Sequence, residues 1–263
     1  MPIQPATHPF GTLPRTAEAP PSDRPTVRAR PAATPFPQRA LGPLLAFTGG
    51  YVDTAGFLTL QGLFTAHVTG NFVTIGASLL MGTTGSVSKL LALAVFCVVV
   101  VAVRMLSLRL ERLGHPPLRT LLVLKLLLLI AGAATAIGLG PFSDADAWPA
   151  MLTGMLLVSA MAIQNAAHRG HMGAKVPPPN LMTGTTTQIM IDLADLAGRT
   201  QPAEQRAEIR GRLARMAASL LLFATGCAIA AVAVGGIGQW CFVVPPLLSL
   251  GTLILSQADR SGR

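Results

Sequence analysis

Charged residues are scarce in this sequence, and two long stretches have almost none. Only 12% of the residues are charged, against about 25% in a typical soluble domain. Asp53 is the one formal charge between Leu41 and Ser88, and the stretch from Met216 to Ala258 carries no charge. Such stretches exclude an ordinary soluble fold and predict an all-α, polytopic membrane helix bundle.

Aromatic and cysteine residues are also few, which excludes several functions. The net charge is +9, but the arginines lie at the ends of apolar runs, so the charge indicates membrane orientation and no nucleic-acid partner. Cys97, Cys227 and Cys241 lack metal or disulfide spacing and are interpreted as small core residues. His168 and His171 lie in a basic loop without neighbouring acidic or cysteine residues that could complete a metal site, so no metal site is predicted. No cofactor motif or catalytic triad is present, so no cofactor is expected and an intramembrane enzyme is the least favoured class.

The first 40 residues lack an apolar run. They contain ten prolines and five arginines. Such a segment cannot form a packed core, and it lacks the apolar stretch of a signal peptide. We predict a disordered cytoplasmic tail over 1–40, a first membrane repeat over 41–140, a second over 141–257 and a short cytoplasmic tail over 258–263.

Six apolar segments are long enough to cross a bilayer. They are about Leu41–Leu63, Leu90–Leu110, Leu121–Leu139, Ala150–Ala167, Met216–Val234 and Ile237–Ser256. Two shorter segments, about His67–Met81 and Leu181–Leu196, follow the first and the fourth. If only the six cross, most of the 20 Lys and Arg residues face the cytoplasm, whereas two further crossings would move several outside. The charge pattern predicts six spans plus two re-entrant segments in a bacterial inner membrane, with both termini cytoplasmic.

Each short segment begins with a polar Thr-Gly motif, which runs from His67 to Asn71 in the first and from Asn180 to Thr185 in the second. The ten residues from Asn71 to Leu80 make about 15 Å of helix, half of the hydrocarbon core. Thr or Asn at a helix start accepts unpaired N–H groups, and Gly allows close backbone approach. We expect two half-helices whose positive ends meet near the membrane centre and favour anionic or neutral polar solutes. Capping of two amphipathic surface helices is the alternative.

The two halves of the sequence resemble each other. Gly49, Asp53 and Gly56 match Ala160, Gln164 and Ala167 at an offset of 111, and Thr69-Gly70 matches Thr183-Gly184 at an offset of 114. With three spans in each half, such a repeat has to be inverted, which is a recurrent plan in channels and secondary transporters.

Asp53 is the main candidate for a functional charge. Small residues at helical spacing on either side of it predict that its face points into the bundle, and an intramembrane carboxylate is a functional candidate by default. Capping of a neighbouring backbone, or a pair with Arg104, is the alternative. Its counterparts Gln164 and Asn165 are uncharged, so the two halves are expected to form chemically unequal sites.

Ten residues are expected to line a central solute site. They are Asp53, His67, Thr69, Gly70, Asn71, Gln164, Asn165, Thr183, Gly184 and Thr185. Asp53 is expected to couple protonation to transport, while a hydrogen-bonded structural role is favoured for His67. Arg104 and Lys125 are expected to reach the headgroups along their own side chains. The lipid bilayer is the expected partner, and the identity of the solute and a homo-oligomer are left open.

The motifs together resemble a known family. Gly50–Phe57, Ala66–Asn71, Gln164–Ala166 and Leu181–Thr185 are similar to the YoaK family of bacterial multi-pass membrane proteins, which is classed as a domain of unknown function. The similarity covers about residues 40–257. It implies an integral inner-membrane protein and supplies no activity, substrate or catalytic residue. From the residues themselves we expect a channel or secondary transporter for a small polar or anionic solute. A non-transporting scaffold or regulator, whose tail recruits a cytosolic partner, is the alternative.

Overall fold

The computed structural model describes residues 36–172, 182–198 and 201–261. These residues form eight α-helices and no strand, which confirms the all-α prediction. The helices are α1 (Phe36–Thr59), α2 (Gly70–Met81), α3 (Ser86–Arg112), α4 (Pro117–Leu139), α5 (Trp148–Ala167), α6 (Met182–Gly198), α7 (Ala203–Ile237) and α8 (Val244–Ser261). A π-helical turn (His168–Met172) continues α5, and a 3-10 turn (Gly238–Val243) joins α7 to α8. Most of the tail predicted over 1–40 lies outside the described residues, and α1 begins within that range at Phe36.

Four stretches of the described residues are helical, long and apolar enough to cross a membrane. They are Ser86–Arg112, Pro117–Leu139, Trp148–His171 and Ala203–Ser256. The last of them covers two predicted spans, because only the 3-10 turn separates α7 from α8. The 24 residues of α1 give about 36 Å of helix, but its glycines and Asp53 lower its hydropathy and it is not among the four. The chain is therefore a helical membrane protein with several membrane-crossing helices.

α1 packs most extensively against α7, and glycines make that contact close. A Cβ atom on Gly50 would overlap the carbonyl oxygen of Phe223, and one on Gly226 would overlap the carbonyl oxygen of Phe47. Because lipid tails are as apolar as the side chains, helices in a membrane associate through close packing of small residues rather than through escape from water. These two glycines therefore fix where α1 crosses α7.

The contacts between helices follow the same pattern in the two halves. α1 packs against α7 and α8, while α5 packs against α3 and α4. α2 packs on α3, and α6 packs on α7. Exchanging α1–α4 with α5–α8 turns each of these contacts into another contact that is present. These contacts thus exchange in pairs between the two halves.

The apolar core lies between these helices. Val52 of α1 and Leu129 of α4 are buried in one cluster, which Tyr51 joins. The Tyr51 hydroxyl donates a hydrogen bond to the Cys241 carbonyl oxygen at 2.9 Å, so the buried phenol is paired. Cys241 is buried as expected, but Cys97 is exposed on α3, so its interpretation as a core residue is wrong.

The two short helices each make one main helix contact. α2 buries Asn71 and Ser78 and leaves apolar side chains such as Val73 and Leu80 exposed. α6 is held to α7 by an ion pair in which Arg212 binds both carboxylate oxygens of Asp192. Charge pairing therefore anchors α6, whereas side-chain amides and hydroxyls anchor α2.

Candidate functional site

The Asp53 carboxylate is bound by the backbone that leads into α2. Its Oδ1 atom accepts hydrogen bonds from the Thr65 and Ala66 amides, both at 2.7 Å, and a longer one from the His67 amide at 3.4 Å. The Thr65 hydroxyl lies 3.3 Å from the same oxygen. Asp53 is 4% exposed, and a carboxylate buried to that degree needs such donors because water is excluded. Asp53 therefore fixes the shape of the 64–67 segment.

His67 completes this arrangement from the other side of the carboxylate. Its Nδ1 atom lies 2.8 Å from Asp53 Oδ2, and its ring meets the ring of Phe223 edge-on, with centroids 5.1 Å apart. Because a carboxylate oxygen accepts, Nδ1 is the donor of this hydrogen bond. The side-chain partner of Asp53 is thus His67, and the Arg104 pair weighed above is wrong.

Asn71 binds the same segment from within α2. Its side-chain Oδ1 accepts from the Phe64 amide at 2.9 Å, and its Nδ2 donates to the Phe64 carbonyl oxygen at 2.9 Å. Both polar atoms of this fully buried amide are therefore used to hold the segment. Asn71 is a structural clamp on residue 64, and not a cap of its own helix.

Thr69 and Gly70 have different roles from those expected. Thr69 is exposed, has helical backbone angles and makes no side-chain capping hydrogen bond, so the predicted capping role is wrong. A Cβ atom on Gly70 would lie 2.9 Å from the ring of Phe64. The glycine therefore makes room for an aromatic side chain and not for a second backbone.

The stretch from Gln61 to Thr84 leaves one end of α1 and returns to it. The Thr84 hydroxyl donates to the Gln61 side-chain oxygen at 3.1 Å, so the two ends of the stretch meet. Between them, the chain reaches Asp53, which lies six residues, or about 9 Å, back along α1 from Thr59. The stretch therefore runs back alongside α1 as far as Asp53 and then returns to the end of α1.

A cavity of about 320 Å³ opens beside the Asp53–His67 pair. It is lined by Asp53, Thr54, Phe57, Phe64, His67, Phe223 and Cys227. α1, the segment before α2 and α7 thus each supply part of its wall. Asp53 and His67 are the two residues of the expected site that reach this cavity, and Asn71 supports it from behind through Phe64.

Gln164 belongs to a second polar cluster, which is closed. Its Oε1 atom accepts from Lys125 Nζ at 2.7 Å, and its Nε2 atom donates to the Leu45 carbonyl oxygen at 2.9 Å. Lys125 is fully buried, so the expectation that it reaches the headgroups is wrong. The sequence feature that could have indicated this burial is the position of Lys125 in its helix, since it lies eight residues, or about 12 Å, from the start of α4. Asn165, the neighbour of Gln164, is half-buried.

The expected residues of the second Thr-Gly motif lie on α6, and the structure does not place them in the cavity beside Asp53. Thr183 lines an open groove on the outward face of α6, whereas Thr185 is buried. Gly184 has no atom within 4 Å of an added Cβ, so no close approach occurs there. Residues 180 and 181 of the motif lie outside the described residues.

A third polar cluster, which was not expected from the sequence, joins the loop between α4 and α5 to the start of α3. Asp146 accepts from the Gly85 and Ser88 amides, both at 2.8 Å. Burial alone would raise the pKa of Asp146, but these backbone hydrogen bonds outweigh it and lower the pKa. Nearby, Lys89 Nζ donates to the Ser78 hydroxyl at 2.8 Å and ties α3 to α2.

Comparison with known proteins gives two matches. A family model described as "Protein of unknown function (DUF1275)" matches residues 41–255. The chain is also 27% identical over 221 residues to a protein of Bacillus subtilis (strain 168) named "UPF0700 transmembrane protein YoaK", which covers 83% of this chain and 94% of that protein. No solved structure matches.

Proposed function

The chain belongs to the DUF1275 family of proteins of unknown function, and we propose that this integral membrane protein moves a small polar solute across the membrane. The proposal includes a channel or a secondary transporter, with the Asp53–His67 pair at the solute site. The YoaK resemblance seen in the motifs agrees with the matches, but neither match names an activity.

One observation carries the proposal: the paired Asp53 and His67 side chains line a cavity among membrane helices. A carboxylate and an imidazole in such a place cost free energy to bury, because the surroundings cannot hydrate their charged forms. Ionisable groups that are kept there despite this cost are candidates for a function. The His67 side chain is 28% exposed, so one of the two groups is open to a solute or a proton. The pair is thus suited to bind a solute and to exchange a proton with it.

The anionic solute expected from the sequence receives less support than a neutral or cationic one. The amides of Thr65, Ala66 and His67 are the donors that would have attracted an anion, and all three point at Asp53. The positive end of the segment is therefore already neutralised by a residue of the protein itself.

We also propose the membrane arrangement. α1, α3, α4, α5, α7 and α8 cross the membrane, while α2 and α6 are re-entrant, and 41–140 and 141–257 form an inverted repeat with cytoplasmic termini in a bacterial inner membrane. The exchange of helix contacts between the halves supports the repeat. The Gln61–Thr84 closure supports a re-entrant α2. Non-helical backbone, such as the segment before α2, is tolerated at membrane depth where it is buried in protein or lines a cavity.

Uptake into proteoliposomes tests the function. We expect faster entry of at least one of three labelled probes, ethanolamine, sorbitol or phosphate, than into protein-free liposomes. Asp53→Asn should return uptake to the protein-free rate, because the amide cannot carry the charge or exchange the proton. Asp144→Asn is the matched control, since Asp144 is an exposed carboxylate in the loop before α5, and it should leave uptake unchanged.

Uptake of all three probes at the protein-free rate, or full uptake by Asp53→Asn, would contradict the transport proposal. The scaffold hypothesis then becomes the better one. It predicts that deletion of residues 1–38 abolishes the cellular phenotype while Asp53→Asn does not.

A further inference from the structure

The cavity beside Asp53 has the composition of a site for a small organic cation. Three of its seven lining residues are phenylalanines, and its carboxylate is Asp53. We propose that this cavity binds the ammonium group of a small amine or quaternary ammonium compound, with Asp53 as the counter-ion. This inference rests on the proposed function and names the class of solute.

One oxygen of the Asp53 carboxylate, Oδ2, can still accept a further hydrogen bond. Four donors crowd Oδ1, while among the described residues Oδ2 has His67 as its one hydrogen-bond partner. An ionised carboxylate oxygen accepts about two hydrogen bonds, so Oδ2 has room for a further donor or a cation. Oδ1 fixes the position of the group, and Oδ2 is the atom for the ligand.

The aromatic walls favour a cation over a neutral molecule of the same shape. Phe57 and Phe64 pack together with centroids 4.8 Å apart, and Phe223 lies next to His67. The face of an aromatic ring carries negative partial charge that attracts a cation within about 6 Å, most strongly where water is excluded. Clusters of aromatic side chains recognise quaternary ammonium groups in this way.

The charges and the size agree with this occupant. Asp53, His67 and Cys227 are the titratable residues in the lining, and none of the seven residues is Lys or Arg. Within the part of the chain that the structure describes, a cation therefore meets no Lys or Arg side chain in this lining. A volume of about 320 Å³ lies at the lower end of the range of small-molecule pockets.

Calorimetric titration of the purified full-length protein in phosphatidylglycerol nanodiscs tests the inference with two probes. Choline carries the cation, and 3,3-dimethylbutan-1-ol is its neutral isostere with carbon in place of nitrogen. We expect choline to bind and the alcohol to bind at least about tenfold more weakly, since the two differ in charge and not in shape. Equal binding of both probes, or no binding of choline, would overturn the inference.

Variants locate the site and control for folding. Phe223→Leu should weaken choline binding about tenfold, because it keeps an apolar side chain and removes one ring face. Phe47→Leu is the control on α1, since Phe47 stacks on Tyr51 and is not part of the cavity lining, and it should bind choline normally. Equal losses in the two variants would contradict this site. Phe57→Leu gives a second test if Phe223→Leu fails to fold.

The ammonium group belongs either to a free solute or to a lipid headgroup, and the lipid composition distinguishes them. Weaker choline binding in phosphatidylcholine nanodiscs than in phosphatidylglycerol nanodiscs indicates a headgroup as the competing occupant, whereas equal binding indicates a free solute. Choline binding without uptake of any probe would support the cation site and contradict the transport function. Uptake that depends on Asp53, without choline binding, would support the transport function and contradict the cation site.

Discussion

Asp53 and Gln164 occupy matching positions in the two halves, yet their surroundings are opposite. Asp53 is bound by the backbone of a neighbouring segment and borders a cavity. Gln164 bridges Lys125 and the carbonyl oxygen of Leu45 and is closed off. One half therefore places its polar group beside a cavity, and the other uses its polar group to join α1, α4 and α5. A repeated set of helix contacts can thus carry two different chemical tasks.

The first prediction concerns the side of the membrane on which each of two loops lies, and it has the largest expected effect because a loop is labelled either from one side or from the other. In a protein whose native cysteines are replaced by alanine, Asp144→Cys and Glu204→Cys should react with a membrane-impermeant thiol reagent from opposite sides. This follows from the proposed arrangement, in which α5 crosses the membrane between them and α6 does not. Labelling from the same side would mean that α6 crosses, and the halves would then not be related as proposed.

Removal of Gln164 should have the largest effect on stability. Gln164→Leu leaves the buried Lys125 amino group without its hydrogen-bond partner, and we expect a loss of about 2–3 kcal/mol in the free energy of unfolding. Thermal unfolding in detergent measures this. Gln188→Leu is the control because Asp192, which Gln188 contacts, keeps Arg212, and its cost should be below about 1 kcal/mol.

The double variant Lys125→Met/Gln164→Leu sharpens the same point. Removing both partners leaves no unpaired buried donor, so stability should return toward that of the unchanged protein. If the double variant is no more stable than Gln164→Leu alone, the unpaired Lys125 amino group is not the cause of the loss.

A smaller and more local effect is expected at Asn71. Asn71→Ala removes both hydrogen bonds to Phe64 and should cost about 1–2 kcal/mol, felt mainly by the segment before α2. Hydrogen exchange of the peptide that contains Phe64 should speed up about tenfold. Asn165→Ala is the control in the other half and should leave that exchange unchanged. Equal exchange in both variants would show that Asn71 does not hold the segment.

The class of protein could be predicted from the sequence, while the partners of its polar residues could not. Long uncharged runs are a local property, so the membrane helices and the short α2 were predictable. The amide partners of Asp53 lie 12 to 14 residues away along an irregular segment, and no periodicity indicates where such a segment folds back. Thr69 was expected to cap α2 for the same local reason, but no side-chain cap is formed.

Lys125 shows the limit most clearly. A lysine within an apolar run has two outcomes, a side chain that reaches the headgroups or one that finds a polar partner inside. Its partner Gln164 lies 39 residues away on α5, so the choice depends on which helices become neighbours. Depth alone favoured the second outcome.

The sequence by itself determined that this chain is a helical membrane protein of a recognisable family, because apolar run lengths and local motifs decide those properties. The tertiary structure alone decided that three backbone amides donate hydrogen bonds to Asp53, that His67 pairs with it, and that aromatic rings from α1, the segment before α2 and α7 line a cavity beside them. The physical reason is that hydrogen bonds and cavities join residues that are distant along the chain. Their chemistry appears only when the helices have chosen their neighbours.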